Sequence, residues 1–300
     1  MLTSRDYDVT GRPPPGMVAG KGVETVINHH RPAWAPDEID IDTPSAARMY
    51  DYYLGGSHNF AADRELAEQY MKVLPDMPYI SRANRHYLRR AVSHLAGEAG
   101  IDQFLDLGSG IPTSGNVHEI AQGVNRSARV VYVDADPVTV AHSAAMLDEV
   151  PHAAILHADL RDPASVLESD VVTEHLDLSR PVAVLMVAVL HFVPDVDDPA
   201  AVVAAYRDAT APGSYLVMSH ATHDYHPETM RQAETVYSRA SHTMNFRGRE
   251  EIRGLLGGYE LLPPGLVDVI LWRPEPHAEQ DPLGGDVSRY NLLAAVGRQS

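Results

Sequence analysis

The sequence predicts an α/β domain with a doubly wound sheet of seven strands, the last antiparallel, preceded by a helical segment. Three observations predict it. Apolar runs of strand length recur at 103–107, 130–134, 154–157, 182–187, 215–219, 267–272 and 290–296. Amphipathic stretches such as 138–149 and 200–210 lie between most of them, the alternation of a parallel sheet covered on both faces. The last two runs are joined by 273–289, a Pro- and Gly-containing stretch without a helical pattern, so that final pair is expected to be antiparallel.

The elements before the sheet follow in order. Residues 1–40 carry Pro13, Pro14, Pro15, Pro32 and Pro36 among several glycines and no apolar period, which predicts a disordered tail. Thr43-Pro44 starts a helix over 45–53 that stops at Gly55-Gly56. A second helix is expected over 63–73. A third, over 81–99, has Tyr87, Leu88, Ala91, Val92 and Leu95 on one stripe. The organisation expected is a tail (1–40), a helical lid segment (41–100) and the sheet domain (101–300), with a substrate-side insertion at 221–249.

Composition narrows the function. The 300 residues are 44% hydrophobic and 22% charged, close to soluble averages, so disorder cannot describe the whole chain. Lys and Arg number 24 against 41 Asp and Glu, a net charge of −17 that argues against nucleic acid as partner. The absence of cysteine excludes disulfides, thiolate metal sites and a cysteine nucleophile, and favours a cytoplasmic location. The first 16 residues have no signal-peptide core, and the longest apolar run, 181–190, falls short of the roughly 20 residues of a spanning helix, so no membrane role is expected.

The chemistry-bearing residues cluster at strand ends. The first strand runs into Asp106-Leu107-Gly108-Ser109-Gly110-Ile111-Pro112-Thr113, where glycines allow a sharp turn and close approach of a ligand. Asp134 ends the second strand, where a carboxylate can accept both hydroxyls of an adenosine ribose or simply be solvated. Asp159 can reach the amine of an adenine bordered by Ala158 and Leu160, or cap the helix that starts near Pro163. No third glycine follows Gly110, so a pyrophosphate is disfavoured, and an NAD-dependent dehydrogenase is the weakest alternative. Asp106 opposes a phosphate and suits an ammonium group, which S-adenosylmethionine carries together with a ribose, an adenine and a sulfonium.

Residues 103–113, Asp134, Asp159 and the strand 184–193 resemble the class I S-adenosylmethionine-dependent methyltransferases, which have a Rossmann-like fold. More narrowly, 47–60, Asp63-Arg64-Glu65, 82–85, 108–113, 264–266 and 272–274 resemble the actinobacterial S-adenosyl methyltransferase family, once a domain of unknown function, over about residues 40–298. The resemblance implies that Asp106, Gly108, Ser109 and Gly110 hold the methionine part, Asp134 with Ala135 the ribose, and Ala158, Asp159 and Leu160 the adenine. Arg82 and Asn84, with Arg85, either bind the methionine carboxylate or hold the N-terminal helices.

Tyr53 and Asn59 are the lid candidates, in a segment that could close over the strand ends and exclude water. His191, after the fourth strand, lies near the expected methyl position and is either a general base or a ring packed beside Phe192. His220, His223, His226 and Asp224 lie in an irregular loop, read as acceptor-pocket lining rather than as a metal site. The function expected is methyl transfer to an oxygen or nitrogen of a small molecule. The alternative is a catalytically silent regulator that binds the cofactor. Oligomeric state is left open.

Overall fold

The computed structural model describes residues 40–112, 115–275 and 281–300. The tail predicted over 1–40 lies, apart from Asp40, outside the described residues. Three helices come first: α1 (Ala46–Tyr53), α2 (Ala61–Val73) and α3 (Met77–Gly97). The sheet region then runs β1 (Gln103–Leu107), α4 (Val117–Val124), β2 (Arg129–Asp134), α5 (Pro137–Leu147), β3 (Ala153–His157), α6 (Pro163–Leu167), α7 (Asp170–His175) and β4 (Ala183–Val187). It continues through α8 (Pro199–Asp208), β5 (Tyr215–Ala221), α9 (Pro227–Tyr237), α10 (Arg249–Leu255), β6 (Tyr259–Leu261), β7 (Val267–Asp268) and β8 (Leu292–Gln299).

The strand order is β3-β2-β1-β4-β5-β8-β6, with the short β7 also paired to β8. Strands β1 to β5 are parallel, and β8 is antiparallel to each of its neighbours. The period of two along each strand divides the core. Phe104, Val130, Ala183, Val217 and Ala294 pack on the face covered by α3, whereas Leu105, Val131, Val184, Leu216 and Leu293 pack on the other. Both faces are therefore buried, as the apolar runs predict. This is a Rossmann-like, doubly wound sheet with an antiparallel final strand.

The sequence misplaces one edge. Of the run 267–272 only Val267–Asp268 forms a strand, and Val269–Leu271 turns into a 3-10 helix. The reason lies in α3, where Arg90 donates from Nε to the carbonyl of Trp272 and from Nη2 to that of Val269, both at 2.9 Å. Those carbonyls are satisfied by a guanidinium instead of a ladder. The outer edge is taken by Tyr259–Leu261, which pairs with Leu261 opposite Gly297 and which no apolar run marks. Among the described residues the sheet thus has eight strands.

The N-terminal helices are built into the core. Buried Asp63 accepts from the backbone of Ser45 (2.8 Å) and Phe60 (2.7 Å) and from Arg48 Nε (2.9 Å), joining the starts of α1 and α2. Arg48 extends to Asp136 at 3.3 Å, so one guanidinium ties both helices to the turn after β2. On α3, the Tyr87 hydroxyl lies 2.7 Å from the carbonyl of Ala295 and 3.1 Å from that of Met218, fixing the helix over the β5–β8 pair.

Candidate active site at the carboxyl ends of the strands

Strand order reverses between β1 and β4, the place where open α/β sheets leave a crevice outside their carboxyl ends. There the α1–α3 helices and the 221–249 segment enclose a cavity of about 200 Å³. Twelve of the fourteen residues expected to bind the cofactor or form the lid line it: Tyr53, Asn84, Arg85, Asp106, Gly108, Ser109, Gly110, Asp134, Ala135, Ala158, Asp159 and Leu160. Asn59 and Arg82 stand away from it. The Asn59 amide is consumed by Asp51, the carbonyl of Gly56 and Arg64. Arg82 is exposed on the outer face of α3, its guanidinium 4.9 Å over the ring of Tyr79.

The glycine loop is shaped by two different needs. Gly108 has φ +69°, and a Cβ on it would lie 2.3 Å from Val189 Cγ2, so it permits the loop after β4 to pack against β1. Gly110 has φ +68° with nothing within 4 Å of a Cβ, so it answers to backbone conformation alone. Its N–H donates to Asp134 at 2.8 Å. Gly108→Ala is accordingly expected to lower unfolding stability by about 3 kcal/mol, from left-handed strain plus overpacking, and Gly110→Ala by about 1 kcal/mol. Equal midpoints for the two variants in urea denaturation would contradict this division.

Two buried carboxylates dominate the electrostatics. Burial pushes Asp106 up to about 7, against the opposing pull of Arg85 and with help from Asp134. Burial likewise raises Asp134 to about 6, although its oxygens accept from the N–H groups of Asp136 (2.9 Å) and Gly110. Asp159 behaves differently. Against its partial burial, Arg161 holds it below the usual carboxylate value through contacts at 2.6–3.0 Å, and Arg161 also reaches Asp197 at 2.9 Å. The helix cap that was Asp159's other expected role falls to Asp162, which accepts from Ser165 N–H.

Asn84 connects the helices to the sheet. Its amide donates to Tyr50 Oη at 3.0 Å and accepts from Ser219 Oγ at 2.6 Å, while Ser219 also accepts from the N–H of Ala188. Arg85 points at the glycine loop and donates to the carbonyl of Gly115 at 2.9 Å. Pattern alone left both residues open because helix spacing fixes the face they share and not what it meets.

His191 is buried in the wall with its ring centre 4.6 Å from that of Phe192. Burial, His220 and Arg247 lower its pKa well below 6.5, the direction that keeps the ring neutral. Its Nδ1 accepts from Ala221 N–H at 3.4 Å, so the neutral ring carries its proton on Nε2. His220 is spent on Arg247, which also donates to the carbonyls of Leu190 (3.1 Å) and Val193 (2.8 Å) and pins the loop after β4. Among the described residues no group of three or more His, Asp or Glu is arranged to hold a metal ion, and no helix is long and apolar enough to cross a membrane.

Several wall residues escaped the sequence: Tyr70, Tyr237, His242 and Asn291. Each lies far along the chain from the glycine loop, and no spacing marks it. Arg161 did carry a signal, two positions after Asp159 at the end of β3.

A family model described as S-adenosyl methyltransferase matches residues 32–300. No curated protein matches the chain. Among solved structures, a candidate methyltransferase from Thermobifida fusca YX is 42% identical, covers 90% of this chain and 100% of its own, and superposes with a TM-score of 0.82. A DUF574 family protein from Streptomyces avermitilis MA-4680 is 39% identical over 87% of this chain and 99% of its own, with a TM-score of 0.83. An O-methyltransferase family protein from Burkholderia thailandensis, 13% identical over 86% of this chain and 65% of its own with a TM-score of 0.50, shares the fold alone. The chain belongs to the S-adenosyl methyltransferase family, and its cofactor is S-adenosyl-L-methionine.

Proposed function

We propose that the protein methylates an oxygen or nitrogen atom of a small molecule. The observation that carries this is one cavity with two chemistries: carboxylates gather at the strand ends, and aromatic and thioether side chains line the rest. The strand-end residues fit the cofactor. Asp106 and Asp134 are buried carboxylates short of cationic partners, Gly110 leaves open space, and the hydroxyls of Ser81 and Ser109 are buried in the wall without hydrogen-bond partners. Asp106 would face the ammonium, with Ser81, Ser109 and Arg85 toward the methionine carboxylate. Asp134 retains lone pairs for both ribose hydroxyls beyond its two backbone bonds. Asp159 would take the adenine amine as Arg161 leans toward Asp197, between Ala158 and Leu160.

Held by Asp106, Asp134 and Asp159, the cofactor would supply an electrophilic methyl whose sulfur keeps the bonding pair on transfer, and the acceptor's proton would leave to solvent as the methylated product departs. His191 presents Nε2–H and so orients the acceptor atom by donating to it, rather than removing its proton. The wall formed by α1 and α2 excludes bulk water from the reacting centre. The acidic surface and the lack of cysteine fit a small acceptor in a reducing, cytoplasmic compartment better than nucleic acid. The direct test is transfer of labelled methyl into a whole-cell extract that is then separated into metabolites, nucleic acid and protein. A saturable, cofactor-dependent small-molecule product is expected; label found only in nucleic acid or protein, or in nothing, would reject the proposal.

A further inference from the structure

Resting on that methyl-transfer reading, we propose that the acceptor is an uncharged, flat aromatic molecule whose hydrogen-bond donor meets the side-chain oxygen of Asn291 and whose second polar atom meets the hydroxyl of Tyr53. Five rings of the cavity wall form a continuous chain. Their centroids are 6.3 Å apart for Tyr53–Tyr70, 5.3 Å for Tyr70–Tyr237, 5.6 Å for Tyr237–Phe192 and 4.6 Å for Phe192–His191. The chain thus runs from α1 to the loop after β4, where the methyl position is expected. Such faces and edges match the quadrupole of another aromatic ring, and the sulfurs of Met230 and Met244 adapt to its outline.

Charge decides what this part of the cavity accepts. The Asp and Arg side chains among the described lining residues are Arg85, Asp106, Asp134, Asp136, Asp159 and Arg161. All belong to the strand-end loops or to the α3 turn that faces Asp106. A charged acceptor among the rings would lose its hydration without gaining a counter-charge. Two polar atoms there lack protein partners: Tyr53 Oη and Asn291 Oδ1, in residues only 4% exposed. Burial, with Tyr237 and Tyr70 nearby, raises Tyr53 well above 10, so its hydroxyl stays a donor. Asn291 holds φ +47° at the start of β8 while its own carbonyl accepts from Thr222 N–H at 2.9 Å, a left-handed backbone that asparagine tolerates.

The test is calorimetric titration of the full chain, with and without S-adenosylhomocysteine, using 2,6-dihydroxynaphthalene, the 6-hydroxy-2-naphthoate anion and the saturated decahydronaphthalene-2,6-diol. Binding of 2,6-dihydroxynaphthalene at least tenfold tighter than either of the others is expected. Tyr53→Phe and Asn291→Gly, the latter keeping the left-handed backbone available, should each weaken 2,6-dihydroxynaphthalene at least threefold and leave S-adenosylhomocysteine affinity within twofold. Equal or tighter binding of the anion or of the saturated diol, or no binding of 2,6-dihydroxynaphthalene, overturns the proposal, and the wild-type comparison needs no variant to fold. Failure of S-adenosylhomocysteine itself to bind would instead strike the methyl-transfer reading, and the titrations without it separate the two outcomes.

Discussion

Asp134→Ala is expected to weaken S-adenosylhomocysteine binding about 100-fold at pH 8, the loss of two charge-assisted hydrogen bonds at roughly 1.5 kcal/mol each. The variant also removes the acceptor for Gly110 N–H and so loosens the loop that faces the methionine part. The same titration in wild type carries a pH signature. Asp106, raised to about 7 by burial, must be ionised to face an ammonium, so its pKa falls on binding. Affinity is therefore complete above pH 7 and declines as pH drops through 7 toward 5, by up to tenfold per unit for this group. Asp134, near 6, steepens the decline at the lower end. Binding measured at pH 6.5 in buffers of different ionisation enthalpy should show proton release. A flat affinity between pH 8 and 5.5 would remove Asp106 and Asp134 from the site.

Asp63→Ala should cost about 3–5 kcal/mol of unfolding stability, because it strips the main partner from a buried arginine and orphans two backbone donors. Arg48 is 3% exposed and Asp63 is fully buried. The geometry also predicts a partial repair: Arg48→Met combined with Asp63→Leu should recover the share of the loss that comes from the unpaired arginine, while the N–H groups of Ser45 and Phe60 stay without an acceptor. Guanidinium denaturation of the two variants checks both statements. An Asp63→Ala midpoint matching wild type would mean that the starts of α1 and α2 are held by packing alone.

Local chemistry was the readable part of this chain. The runs that became β1 to β5 are apolar on both faces and flanked by turns, and the glycine loop, Asp134 and Asp159 follow from where those strands end. What stayed hidden depends on residues distant in sequence. Arg90 cuts a strand short at Val269, and Gly257-Gly258 precede a three-residue edge strand too brief to show a period. Asn59 looked available for a ligand because nothing nearby in the pattern shows that Asp51 already holds it. Asn291 looked like an ordinary strand residue, since its significance comes from a backbone angle and a buried oxygen. The pKa of His191 is likewise set by surroundings that only folding assembles.

The helices at 46–97 have a consequence for how the protein can be recombined. Arg48 grips the turn after β2, Asn84 meets Ser219 on β5, and Tyr87 reaches the carbonyls of β5 and β8. Those helices also supply much of one of the two core layers. They are not a portable module: a chimaera that takes the sheet from one relative and the helices from another keeps its fold only where both halves match at all three anchor points.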